Sequence, residues 1–316
     1  MHPNNTPNNT AVNAGQNNKR PFLPRIFLSP EEPRLRAGWR LLIQFFLWQL
    51  LTNIIFIAFV ILGNESIYYN FLVNKSVSLF AVIASVYLAR RFIDRRSFLS
   101  LGLKYNSRAV GEVLLGVMIA GLMMLLIYAL EFMFGWLEFE GFVWGLKSEQ
   151  SVLLSTLEMA LLFCIVAFDE ELLSRGYHLQ NLEDGINLPW GVILSSVIFA
   201  FMHSMNPNFT IAAWFGLFAA GLFLGLAYVL TRQLWLPIGL HIGWNFFEGT
   251  VFGFRVSGLD TFRIIEQTVR GPALITGGSF GPEAGLILIP AIGLGILLVY
   301  LYSRTRNSYP SGFEMD

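Results

Sequence analysis

Two adjacent carboxylates, Glu170 and Glu171, stand just ahead of Arg175 in a run that is otherwise apolar. Two further polar islands follow in the same setting, Phe199 with His203 and His241 with Asn245, each pair at an i,i+4 spacing. Carboxylates and imidazoles move protons near neutral pH, and His with Asn supplies the kind of donor that holds a developing oxyanion. Together these residue types suit hydrolysis by an activated water. Of the 4 histidines, His178, His203 and His241 lie in or beside the islands, and only His2 is far away.

On a helix Glu171 and Arg175 face one another and can pair, while Glu170 is rotated by about 100° and points elsewhere. The expectation is that Glu171–Arg175 neutralises itself and leaves Glu170 free to act as a base, moderated by a nearby imidazole. Phe199 is placed to pack beside the His203 ring, and His241 and Asn245 offer two donors from one helix face. Each island also has a bland reading: a structural ion-pair set for the first, interhelical polar packing for the others. His178 and Glu248 are secondary candidates for the same site, with packing or loop roles favoured. Zinc stays possible, because one carboxylate and two histidines form a known catalytic set, although no HExxH spacing is present and Asn245 is a poor zinc ligand.

The elements that must carry these residues read as membrane helices. Of 316 residues 54% are hydrophobic and only 13% charged, with a mean hydropathy of +0.57. A soluble domain would carry roughly a quarter charged residues. The formal net charge of zero gives no sign of a nucleic-acid partner. Lone Cys164 excludes an internal disulfide and reads as a small core residue.

Eight apolar segments emerge, at 40–63, 76–92, 109–136, 151–180, 189–204, 210–231, 235–254 and 284–302. A span needs about 20 residues, so the second and fifth are short. The fold class expected is all-α, a polytopic transmembrane bundle with a polar site between its helices. Residues 1–24, rich in Asn and Pro, form a disordered tail; 25–306 form the membrane domain, with its motif-bearing core at 151–254; and 307–316 form a short second tail. Gly221 and Gly225 are spaced for close helix packing, and no oligomeric state follows from them.

Charge sets an orientation. With both termini cytoplasmic, 16 of the 21 Lys and Arg residues fall on the inner side, and Lys75, Lys147, Arg255, Arg263 and Arg270 fall outside. Depth brings the islands together. Counted from Glu183 and Asp184, Glu170 lies about 20 Å in; counted from Pro189, His203 lies about 21 Å in; and counted from Arg232, His241 lies about 14 Å in.

The order EExxxR, FxxxH, HxxxN, each in its own apolar segment, resembles the CPBP family of intramembrane proteases, which includes the CAAX prenyl endopeptidases and the Abi proteins. The resemblance spans about residues 151–254 and includes Arg175-Gly176-Tyr177 and Leu236-Pro237-Ile238-Gly239-Leu240. The stretch Gly277-Gly278-Ser279-Phe280-Gly281-Pro282-Glu283 is similar to bacterial members. Ser174 departs from the family's usual bulky residue. The resemblance implies an intramembrane endopeptidase of a bacterial cell membrane that acts on a membrane-associated peptide or protein without a metal. Carried over by motif position, Glu170 activates water with His203, His241 and Asn245 hold the oxyanion, and Glu171 and Arg175 organise the first helix. A non-catalytic immunity or scaffold protein, a transporter, and a zinc-dependent form of the protease are the rivals.

Overall fold

A computed structural model describes residues 27–29, 34–61, 70–145 and 148–308. The tail expected at 1–24, Lys147, and the last residues of the expected 307–316 tail lie outside the described residues. All eight apolar segments are helical: α1 (Ala37–Ile61), α2 (Phe71–Leu88), α3 (Ala109–Met133), α4 (Glu149–Glu171), α6 (Leu188–Met202), α7 (Ile211–Thr231), α8 (Trp235–Asn245) and α10 (Leu288–Ser308). Between them lie short α5 (Gln180–Gly185) and α9 (Ala273–Thr276).

Six of the helical segments are long and apolar enough to cross a membrane; α6 is shorter. The molecule is an integral membrane protein. Its outward face is apolar, as lipid requires: Phe46, Leu50, Ile57 and Ile61 of α1 are exposed, whereas Arg40 and Gln44 of the same helix are buried.

Local chemistry sets the helix starts. Asn70, Ser148, Asn187 and Thr210 each accept a hydrogen bond from a backbone N–H three residues on, and Pro189 occupies the first turn of α6. Three helices depart from α geometry. α2 ends in a π-turn (Ala89–Ile93), α4 continues as a π-helix (Leu172–Leu179) into α5, and α8 continues as a π-helix (Phe246–Val251). Such wide turns gather at functional sites, and two of the three begin directly after polar-island residues.

α3 and α8 pack backbone to backbone. A Cβ on Gly239 would lie 2.2 Å from the Val113 carbonyl oxygen, and one on Gly243 would lie 2.7 Å from Val117 Cα. Only glycine permits that approach, and His241 sits between the two contacts. Gly221 and Gly225 play the expected packing part, meeting Ser196 and Val192 of α6.

Ion pairs tie one end of the bundle. Asp184 bonds Arg34 and Arg96, Asp94 bonds Arg90, and Arg232 bonds Glu183. At the other end lies a two-stranded sheet that the all-α expectation did not contain. Strand β1 (Leu137–Phe142) pairs antiparallel with β2 (Ile265–Val269), with an irregularity between Phe139 and Gly141. Cys164, expected in the core, is exposed on α4.

Candidate active site

The islands converge. Glu170 and Glu171 come from the last turn of α4, Arg175 from the π-helix that follows, His203 from the end of α6, and His241 and Asn245 from α8. Glu170 Oε2 lies 3.6 Å from His203 Nε2 and 3.9 Å from His241 Nε2. Glu170, His203, His241 and Asn245 all line one cavity of about 360 Å³. An apolar side cavity, lined by Met123, Phe223, Leu224 and Leu240, also touches His241 and Asn245.

Glu171 does more than pair with Arg175. Its Oε1 lies 2.6 Å from Arg175 NH1 and also 2.9 Å from His241 Nδ1, so the fully buried carboxylate joins the α4 helix to α8. The second guanidinium nitrogen of Arg175 donates to the Gly221 carbonyl, and its planar face covers the Phe199 ring at 4.4 Å. One ion pair thus braces α4, α6, α7 and α8 around the site. The expectation of a self-contained pair is corrected accordingly.

Glu170 is not free of cations either. Lys75 of α2 places Nζ 3.7 Å from Glu170 Oε1. Lys75 was legible only as an outer charge, because nothing in the chain order ties α2 to the end of α4. Asp169, which accepts a hydrogen bond from the Ser78 hydroxyl, also lines the cavity. So does Glu283, whose Oε2 accepts a 2.6 Å hydrogen bond from the Ser257 hydroxyl. Its stretch of sequence stood out, but no role for Glu283 followed from it.

Both imidazoles have fixed tautomers when neutral. His203 is the residue that ends α6, and its Nδ1 lies 2.8 Å from the Phe199 carbonyl oxygen, one of the last carbonyls that a helix leaves unpaired. A carbonyl only accepts, so Nδ1 carries the proton. Glu171 imposes the same on His241. Both rings therefore present a bare Nε2 toward Glu170, and only a donor between them, or a second proton on a ring, makes that arrangement favourable. Phe199 stacks at a tilt on His203, with ring centroids 4.8 Å apart.

Of the secondary candidates, His178 is buried and lines neither cavity. Glu248 is buried close to Glu283 and beside the Trp244 indole. No set of three or more His, Cys, Asp or Glu side chains among the described residues converges at metal-ligating geometry.

Residues 152–247 match the family described as Rce1-like, Type II CAAX prenyl endopeptidase. The matched segment holds all three islands, and it is the segment whose motifs resemble the CPBP proteases. Within it lie Glu170, Glu171, Arg175, His203, His241 and Asn245; outside it lie α1 to α3, Lys75 and the loop with Glu283. No curated protein and no solved structure matches the chain.

Proposed function

We propose that the chain is an intramembrane endopeptidase that hydrolyses a peptide bond of a membrane-associated peptide or protein, with Glu170 activating the water. The observation that supports it best is the approach of Glu170 Oε2 to two Nε2 atoms at the wall of a cavity large enough for a backbone segment. A water between Glu170 and His203 has two acceptors to donate to, which is the arrangement a base needs to hold its nucleophile.

The steps follow from the donors. Glu170 takes a proton as the water oxygen bonds the carbonyl carbon. The oxyanion that forms meets the Asn245 amide and the His241 Nε2. Because Nδ1 of His241 is already committed to Glu171 at 2.9 Å, its Nε2 donates only when the ring carries a second proton. Collapse of the intermediate breaks the C–N bond, and the amine must gain a proton to leave. No step is routed through a metal.

By the positive-inside rule the Arg-rich side of the bundle is the cytoplasmic one, which would put both termini there. The cavity opens at the other end, where its rim includes Met205, Pro207, Leu259 and Thr261. The family description suggests a cut close to a membrane anchor on the substrate.

The test is Glu170→Gln in liposome-reconstituted protein, scored on membrane peptides that accumulate in its presence. Turnover should fall on the order of 100-fold or more, with folding and insertion unchanged. Wild-type turnover by the variant would refute the mechanism and favour a non-catalytic role.

A further inference from the structure

Glu283 stands on a loop built to hold it. A Cβ on Gly216 of α7 would lie 1.6 Å from the Glu283 carbonyl oxygen, so helix and loop backbones touch. Gly281 takes φ +112°, where a side chain would strike the Arg255 carbonyl oxygen at 2.1 Å. The result is a carboxylate, 5% exposed, on the wall of both cavities that His241 and Asn245 line.

Among the described residues no Lys or Arg forms an ion pair with it, and Ser257 is the one side chain that hydrogen-bonds it. Glu248, fully buried, lies close behind it, and His203 and His241 are within electrostatic reach. Across the cavity stand Asp169, Glu170 and Lys75, with Lys75 held at Glu170. Arg255, on the facing loop, is exposed and donates to the Ser279 carbonyl. Burial pushes the Glu283 carboxyl up from its ordinary range, and a like charge on neighbouring Glu248 adds to that.

We propose that Glu283 is the general acid of the hydrolysis, protonated at rest and donating to the leaving amine. This rests on the endopeptidase function proposed above. Glu170 takes one proton from water as the C–O bond forms, and the other stays on the new carboxyl group. When the C–N bond breaks, its electron pair takes the proton of the Glu283 O–H. The resulting Glu283 carboxylate is held by the Ser257 hydroxyl. Glu170 then loses its proton to cavity water and Glu283 regains one, so each cycle consumes one water and yields one carboxyl and one amine.

The experiment uses the full chain in liposomes and one peptide sequence in two forms, an amide and a thioester at the scissile bond. A thiolate leaves without prior protonation, and an amine does not. Glu283→Gln should lower amide turnover about 100-fold, within the usual range for a lost general acid, and leave thioester turnover within about fivefold. Glu170→Gln should lower both. Equal losses in the Glu283 variant would overturn the proposal, because a merely structural loop would not distinguish leaving groups. If Glu283→Gln does not fold, Ser257→Ala must show the same split at about tenfold, and an unsplit loss there overturns it. Infrared difference spectra of wild type against Glu283→Gln supply a readout without turnover. The carbonyl stretch of a protonated carboxyl must be present at neutral pH and vanish in the variant. No such band, with hydrolysis intact, sinks the general acid alone; wild type that cleaves neither peptide form sinks the endopeptidase function, and the general acid with it.

Discussion

Alanine at Gly239 tests whether backbone contact between α3 and α8 positions the site. The new Cβ would lie 2.2 Å from Val113 O and 2.7 Å from Val113 Cα, where ordinary contact begins at 3.4 Å. The helices must separate by the difference, 3.4 − 2.2 = 1.2 Å. No side chain is available to swing aside, since the struck atoms are backbone. Overpacking costs about 1–3 kcal/mol, and a rigid backbone clash belongs at the upper end, about 3 kcal/mol. His241 is two residues along α8, and a displacement of about 1 Å costs roughly 100-fold in turnover. The matched control is Gly293→Ala on α10, where nothing lies within 4 Å of the new Cβ. There alanine should be neutral or stabilise by up to about 1 kcal/mol through helix propensity. Unfolding of both variants in detergent micelles, followed by turnover in liposomes, gives the comparison. Equal behaviour of the two would refute the idea that close α3–α8 contact sets the position of His241.

Asn245→Ala should lower turnover by about 100- to 1,000-fold with little change in substrate binding, as loss of one oxyanion donor does; an effect confined to KM would move Asn245 to substrate binding. Activity of purified protein should survive chelators, and stoichiometric zinc whose removal abolishes activity and whose return restores it would recast His203 and His241 as ligands. Cysteines placed at Arg95 and Thr305 in a Cys164→Ser background should label from one side of the membrane, and one at Ile265 from the other. Labelling of all three from one side would break the eight-segment path.

The site was legible because its residues are polar where the chain is otherwise apolar. Depth counted from Asp184, Pro189 and Arg232 brought Glu170, His203 and His241 to similar depth, and the structure brings those three side chains together. What stayed hidden depends on contacts between distant segments. Lys75 is an ordinary charge near a helix start until α2 packs against α4. Glu283 joins the site only because α7 clasps its loop at Gly216. The Glu171–His241 bond was missed because an i,i+4 partner, Arg175, already explained Glu171. The strand Leu137–Phe142 escaped for the same reason: its pairing partner lies more than a hundred residues away, and its alternating glutamates alone read as a polar connection.

α6 is only 15 residues long, about 22 Å of helix against about 30 Å of hydrocarbon. It stops at His203, and Met205, Asn206 and Pro207 of the irregular backbone that follows line the cavity. Such backbone is tolerated at membrane depth where it is buried in protein or lines a water-filled space. If the proposed hydrolysis takes place there, the missing length of about 8 Å would be the height of a wet funnel above the Glu170 base. The proposed hydrolysis inside a bilayer needs such a supply of water, and a helix that ends early would provide a route for it. Thicker membranes would lengthen the funnel and thinner ones would open it, so the lipid composition around the protein becomes a control on the rate at which its nucleophile is replenished.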